Sequence, residues 1–324
     1  MSLALARAAI RALSPPGPRA RLSIFIYHRV LPERDSLFPE QVDAADFGRQ
    51  MEWIQYLFNV LPLDDAVSRF ERKALPARAA CITFDDGYAD NAKIALPLLR
   101  ARGIPATFFV SSGFIDHGRM WNDTIIESVR RAKGDALDLT ALSMKRFALT
   151  TAQERRTAID ELLAALKYLP QALRDERVDA VRTIAGATLP DDLMLDHRGL
   201  RDLHSAGMTI GAHTVSHPIL TRLDLEAARR EIADGREMLE GLIGGPVSLF
   251  AYPNGKPRED YAAEHVRTVQ SLGFRAAVST AWGAACATSD RYQLPRFTPW
   301  DRTGAKFALR LARNFGTRIE RAPD

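Results

Sequence analysis

The run Ala79-Ala80-Cys81-Ile82-Thr83-Phe84-Asp85-Asp86-Gly87-Tyr88 decides the fold class of this 324-residue chain. A short run of apolar and small residues stops at two adjacent carboxylates and a glycine. A helical stretch from Asn91 to Arg102 follows, so the segment reads as one strand–turn–helix unit. Outward from it the pattern repeats. Strands are expected at Leu22–His28, Phe58–Leu61, Ala106–Val110, Met208–Ala212, Val247–Tyr252 and Ala276–Ser279, with one more short one before Pro295. Helices are expected at Asp46–Leu57, Asp64–Lys73, Arg198–Ser205, Leu225–Leu242, Asp260–Leu272 and Ala305–Asn314. The strands are rich in β-branched and aromatic residues without strict alternation, which suits a parallel sheet covered on both faces. The class is α/β, and the count suggests a barrel of seven or eight βα units.

One segment breaks the alternation. From about 117 to 197 no strand is evident, and Ile159, Leu162, Leu163 and Leu166 form a helical stripe. Val178, Val181 and Ile184 form another. A helical insertion is therefore expected after the Ala106–Val110 strand. Loops at the carboxyl ends of barrel strands surround the active site, which makes the insertion a candidate lid, with a packing appendage as the plain alternative. The organisation expected is a basic segment over 1–21, a barrel over 22–300 carrying the insertion, and a basic helix and tail over 301–324.

Composition sets limits. Hydrophobic residues make up 46% and charged residues 26%, values that exclude a disordered chain, a collagen and a coiled coil. Lys and Arg number 44 against 40 Asp and Glu, for a net charge of +4. No apolar run reaches the ~18 residues of a membrane span. Arg7 and Arg11 interrupt what would be the apolar core of a signal peptide. Two cysteines, Cys81 and Cys286, make no disulfide framework, so a reducing, cytoplasmic setting is expected. Five arginines and no acid lie between Met1 and Pro32, and Lys306, Arg310 and Arg313 recur at helical spacing near the other end. These ends read as solvated helix faces, with peripheral contact at the inner membrane face as the sharper alternative. No nucleic-acid partner is expected.

The chemistry concentrates at two places. Asp85 and Asp86 repel one another unless a cation or proton lies between them, although Asp-Asp-Gly is also a common turn. In Gly211-Ala212-His213-Thr214-Val215-Ser216-His217-Pro218, two histidines four apart follow an apolar run. Pro218 disfavours a helix at His217, so this is not the zinc-protease helix. Asp86 with His213 and His217 would make a three-ligand site with a position open for water. The same set describes non-haem iron, yet alternating strands and helices suit zinc and hydrolysis better. Asp85 would then take the proton from water. Trp121, Tyr252, Trp282 and Trp300 are candidates for stacking on sugar faces, or else core residues.

Thr83-Phe84-Asp85-Asp86-Gly87, His213-Thr214-x-x-His217 and Phe250-Ala251-Tyr252-Pro253-Asn254-Gly255 together resemble the polysaccharide deacetylases with the NodB homology domain, carbohydrate esterase family 4. The resemblance runs from about Leu22 to Pro299 and is interrupted by the insertion. It implies a distorted (β/α) barrel with a divalent metal, zinc first, at the carboxyl ends of its strands. It also implies hydrolysis of the N-acetyl group of an amino sugar or polysaccharide. Asp85 would be the general base, and Asp86, His213 and His217 the metal ligands. Tyr252 and Asn254 would line the substrate groove, with a backbone N–H near Asn254 facing the oxyanion.

Two departures stand out. Ala251 and Asn254 replace an Arg and a Tyr common in the third motif, and Leu294-Pro295-Arg296-Phe297 stands where a Leu-x-x-His is usual. The branch with a Tyr-His at the end of its first strand is the nearer likeness. Through it Tyr27-His28 makes His28 the general acid, and Arg296 is the candidate for the missing third-motif arginine that orients the base. Trp300 follows closely as a sugar-binding candidate. Without export, an intracellular substrate is expected, a lipid-linked sugar among the candidates. The rival readings are a catalytically inactive glycan-binding member of the fold, and hydrolysis of another amide or ester.

Overall fold

The computed structural model describes residues 2–323. In chain order its strands are β1 Leu22–Tyr27, β2 Asn59–Val60, β3 Ala79–Phe84, β4 Thr107–Val110, β5 Ala136–Asp138, β6 Arg146–Ala148, β7 Thr209–Ala212, β8 Leu249–Ala251 and β9 Ala276–Val278. Its α-helices are α1 Leu3–Leu13, α2 Ala44–Leu57, α3 Leu63–Glu71, α4 Leu96–Arg100, α5 Trp121–Arg131, α6 Ala152–Leu166, α7 Gln171–Ala185, α8 His197–Ser205, α9 Leu225–Ile243, α10 Ala263–Ser271 and α11 Gly304–Gly316.

The main sheet is parallel, in the order β1-β3-β4-β7-β8-β9. It curls into a half-barrel with helices outside. β3 explains the ordering. Every one of its residues is buried, so both faces need cover and both edges need partners. β1 takes one edge along its full length, from Leu22↔Ala79 to Tyr27↔Phe84. β2 pairs with the start of β3 and β4 with its end. Across the second junction Phe84 and Phe108 are directly opposed and stack at 4.7 Å, a cross-strand pair that fixes register.

The alternation suggested seven or eight βα units. Six parallel strands carry the sheet, and the remaining places are filled by shorter pieces. One is the two-residue β2. The other is backbone around Leu294–Phe297, which bridges β9 through Val278↔Leu294 and β1 through Phe25↔Phe297. Pro295 supplies no N–H, so only an irregular strand can form there.

The insertion departs from expectation in one respect. Besides α5, α6 and α7 it contains an antiparallel ribbon, β5 with β6, pairing Leu137 with Phe147. Each strand has three residues and only one inward apolar side chain, too little for periodicity to register. Ile125, Leu137, Phe147, Ile159, Leu162 and Val181 share a core of their own with Leu37 and Phe38 from the β1–α2 loop. Ile184, expected on the second stripe, is instead exposed, and Ala185 takes the inward place.

The two basic ends pack together. Ala6 and Ile10 of α1 and Phe307 and Leu311 of α11 join the barrel's core. Gly304 leaves room for Leu3, whose side chain would lie 3.3 Å from an added Cβ. Among the described residues no helix is long and apolar enough to cross a membrane.

Candidate active site

Parallel strands all end on one side, so residues just past them converge whatever their distance in sequence. β3 delivers Asp85 and Asp86, β7 delivers His213 to His217, β1 delivers His28 just past its end, and the closing segment carries Arg296. Ligand atoms of Asp86, His213 and His217 lie within 4.8 Å of one another. Asp86 Oδ1 is 3.4 Å from His213 Nε2 and 3.3 Å from His217 Nε2, yet among the described residues it is buried without a hydrogen bond. An orphaned carboxylate oxygen facing two imidazole nitrogens fits a divalent cation: one oxygen and two nitrogens at one point.

The tautomer supports the same reading. His213 Nδ1 lies 2.7 Å from the Ala251 carbonyl and donates to it, which leaves the Nε2 lone pair turned to Asp86. Burial pushes the His217 imidazole down to about 4 despite the nearby Asp86 carboxylate, so the ring is neutral, as a ligand requires.

Backbone strain collects here. Asp86 (φ +75°), Thr214 (φ +65°), His217 (φ +54°) and Asn254 (φ +58°) all adopt left-handed conformations that non-glycine residues avoid. Such strain persists only where surroundings over-determine it. The surroundings are identifiable. Gly87 continues the turn at φ +88°, and a Cβ on it would strike Val110 at 2.8 Å. Across the site, α9 is held tight by Gly235, where a Cβ would lie 2.7 Å from the Thr214 carbonyl carbon.

One turn earlier on that helix, Glu231 accepts hydrogen bonds from the Val215 and Ser216 N–H groups and from the Ser216 hydroxyl, at 3.0, 2.8 and 2.7 Å. It ties down the loop between the two histidines. Sequence reading missed Glu231. The available signal was an acid on the α9 stripe of Ala228, Ile232, Gly235 and Leu239, where an apolar residue belongs. Glu231→Ala should lower metal affinity roughly 10- to 100-fold without touching a ligand. Zinc competition against a coloured chelator reads this, and unchanged affinity would refute the positioning role.

Asp85 precedes Asp86 directly but takes a different partner. Arg296 grips it with two parallel bonds, Nη1 to Oδ1 at 2.7 Å and Nη2 to Oδ2 at 2.6 Å. Arg296 is fully buried and held in turn by Nε donating to the Ser279 carbonyl at 2.8 Å. Burial would raise the Asp85 carboxyl, but the guanidinium and His213 more than offset it, and the group is held below its ordinary value.

His28 is exposed at the end of β1. Its carbonyl accepts from the Asn91 amide at 2.8 Å, and its imidazole is close enough to add to the field on Asp85, Asp86 and His217. Asn91 opens a π-helical stretch, Asn91–Ala95, where an ordinary helix was expected. Pro97 explains it, because a proline inside the helix lacks an N–H and crowds the preceding turn.

Asp86 and His217 open into a cleft of about 230 Å³, lined also by Asn254 and by insertion residues including Trp121, Leu163 and Arg174. Among the described residues the Asn254 N–H takes no part in the backbone bonds that tie the surrounding loop. Tyr252 corrects an expectation. It does not face substrate: two residues beyond Phe250, it shares that residue's core face. Its ring stacks on Tyr261 at 3.9 Å, and its hydroxyl donates to the Tyr292 carbonyl. Of the four rings considered for sugar stacking, Trp121 lines the cleft. Trp282 and Trp300 stand 5.6 Å apart on the surface with Arg310 over Trp300, outside the cleft lining. A larger depression of about 500 Å³ near Lys93, Asp116 and Asp192 includes none of Asp86, His213 and His217 in its lining.

Comparison with known proteins adds a separate line. The family model described as polysaccharide deacetylase matches residues 72–277. That span takes in both aspartates, both histidines and the insertion, and leaves His28 and Arg296 outside. YxkH of Bacillus subtilis, which carries the polysaccharide deacetylase name, is 21% identical over 279 residues, covering 86% of this chain and 71% of its own. Among solved structures, IcaB from Ammonifex degensii is similar with a TM-score of 0.58 at 18% identity, over 91% of this chain and 98% of that one. The Streptococcus pyogenes deacetylase PplD in complex with acetate is similar with a TM-score of 0.57 at 17% identity, over 86% and 92%. At these identities the structures speak for the fold.

Proposed function

Because the chain belongs to the polysaccharide deacetylase family, hydrolases that act on N-acetyl amide bonds of carbohydrates, we propose that its cleft removes acetyl groups from an amino sugar with a divalent ion, zinc first, held by Asp86, His213 and His217. The observation that carries this is the unpartnered Asp86 oxygen facing both Nε2 atoms. A divalent ion in that place lowers the pKa of water and polarises the acetamide carbonyl.

The chain's own residues do the rest. Asp85, kept ionised by Arg296, accepts the proton of the attacking water at a carboxylate oxygen. Fork geometry leaves the carboxylate a single orientation, so the base does not have to search for it. The Asn254 N–H stabilises negative charge developing on the carbonyl oxygen. His28, at the open rim, gives a proton to the departing amine nitrogen. Met120, Leu163 and Ile219 line the cleft with apolar surface, which limits water beside the reacting amide.

Acetate release from N-acetylglucosamine oligomers should cease when the full-length protein is treated with chelator and return on adding zinc. His213→Ala should lose stoichiometric metal by elemental analysis, and with it at least about 100-fold in rate, because losing only a partner behind a ligand already costs about 10- to 100-fold. Full activity in metal-free protein would overturn the assignment.

A further inference from the structure

Two insertion helices bring cations into the cleft. Lys167 caps the carboxyl end of α6, Arg174 lies in the first turn of α7, and both are in the cleft wall with Asp86 and His217. Arg174 is only 6% exposed. Its guanidinium lies over the Trp121 ring at 5.0 Å. Among the described residues its Nε is buried with no hydrogen-bond partner. Asp175, itself half-exposed, stands 3.6 Å away, beyond a normal bond. Asn122, in the same wall, likewise has a buried Oδ1 with no partner.

A buried cation without an acceptor is costly unless something else meets it. The acids on the Asp85–Asp86 side of the cleft are already engaged. Asp85 is paired with Arg296, Asp86 belongs to the metal ligand set, and buried Asp123 accepts from the Tyr88 hydroxyl and the Met120 N–H. Asp175 is only a loose partner for Arg174, and Asp260, the acid whose field Lys167 meets, lies outside the cleft lining, so among the described residues neither cation is hydrogen-bonded to an acid of the cleft. Met120 and Leu163 make the surroundings apolar, which strengthens any charge-assisted bond formed there.

We propose that Arg174 and Lys167 form an anion-binding subsite, and that the N-acetylated sugar hydrolysed in the cleft carries a phosphate or carboxylate. The planar guanidinium suits two-pronged recognition of either group, Lys167 adds a point charge, and Asn122 Oδ1 accepts from a sugar hydroxyl. The identity of the sugar rests on the deacetylase reading. The anion site rests on the geometry of α6 and α7.

The test uses zinc-loaded full-length protein with N-acetylglucosamine 1-phosphate, N-acetylmuramic acid and neutral N-acetylglucosamine. Binding is measured by calorimetry and turnover by acetate release. At least one anionic sugar should bind ten- to a hundredfold tighter than the neutral one, as expected for a charge-assisted bond. The preference should shrink with added salt. Which anion wins separates a phosphate from a carboxylate source. Arg174→Gln should erase the ratio, and Arg174→Lys should keep part of it.

Equal binding of all three sugars, or none measurable, overturns the subsite. So does an Arg174→Gln loss that falls equally on all three, because lost packing would do that. A clear ratio without acetate from any sugar supports the subsite and defeats the deacetylase reading. Acetate from all three without a ratio does the reverse. Should Arg174→Gln not fold, Lys167→Gln decides: a several-fold fall in the ratio supports the proposal, and an unchanged ratio overturns it.

Discussion

Asp85→Asn is expected to cut turnover by roughly 10²- to 10⁴-fold, the usual worth of a positioned general base, while metal content stays at wild type. The two aspartates are neighbours in sequence but face different partners. Asp86 turns its free oxygen to the two imidazoles, whereas both oxygens of Asp85 are taken by Arg296. Amide for carboxylate therefore removes the proton acceptor and leaves the ligand set whole. The loss should fall on kcat with little change in KM, because proton acceptance matters only in the transition state. The pH profile gives a second readout. Asp85 must be ionised to act, and Arg296 holds it below the ordinary carboxylate range, so any acid limb due to this group lies below pH ~4 in the wild type. A variant within fivefold of wild type, with metal still bound, would remove Asp85 from the mechanism.

The sheet was legible because its strands are buried on both faces and bounded by turns. Ala79–Phe84 is a strand at the boundaries expected, and its abrupt end at Asp85 marks the carboxyl edge where the site lies. The convergence of Asp86, His213 and His217 was legible for a related reason. Each motif sits immediately after a strand, and a parallel sheet brings such positions together. Residues that act from the outer helices were not. Glu231 and Arg174 reach the site only through the packing of α9 and α7, and no local pattern says which loop a helix will face. Tyr252 shows the converse error, a motif residue assigned to substrate because of its neighbours although strand alternation sends it into the core. The ribbon β5–β6 was too short to carry a period at all. For His28 and Arg296, resemblance supplied the roles. The structure supports the Arg296 pairing directly through its fork, and places His28 at the exposed end of β1.

Arg296→Met should destabilise the protein by about 3–5 kcal/mol at neutral pH, the cost of leaving one member of a buried ion pair uncompensated. Arg296 is fully buried and donates to Asp85, Ser279 and Thr83, while Asp85 is itself nearly inaccessible at 2% exposure. The direction of the pH response distinguishes charge from lost packing. In the wild type the Asp85 carboxyl is held below its unfolded value of ~3.9. Its contribution is therefore present above that value and is lost as pH falls through the folded one. Without the guanidinium, burial dominates and the folded carboxyl rises above ~3.9. Stability then falls as pH climbs from there through the raised value, so the slope contributed by this group changes sign. Metal-free wild type and variant, melted in chelator between pH 3.5 and 8, should show opposite trends over part of that range. Adding Asp85→Leu to Arg296→Met should return much of the lost stability at neutral pH and abolish the inverted slope, because no buried charge remains. A parallel downward shift of the whole curve, unaffected by the second substitution, would mean that Arg296 contributes bulk rather than charge, and the fork would lose its role in readying the base.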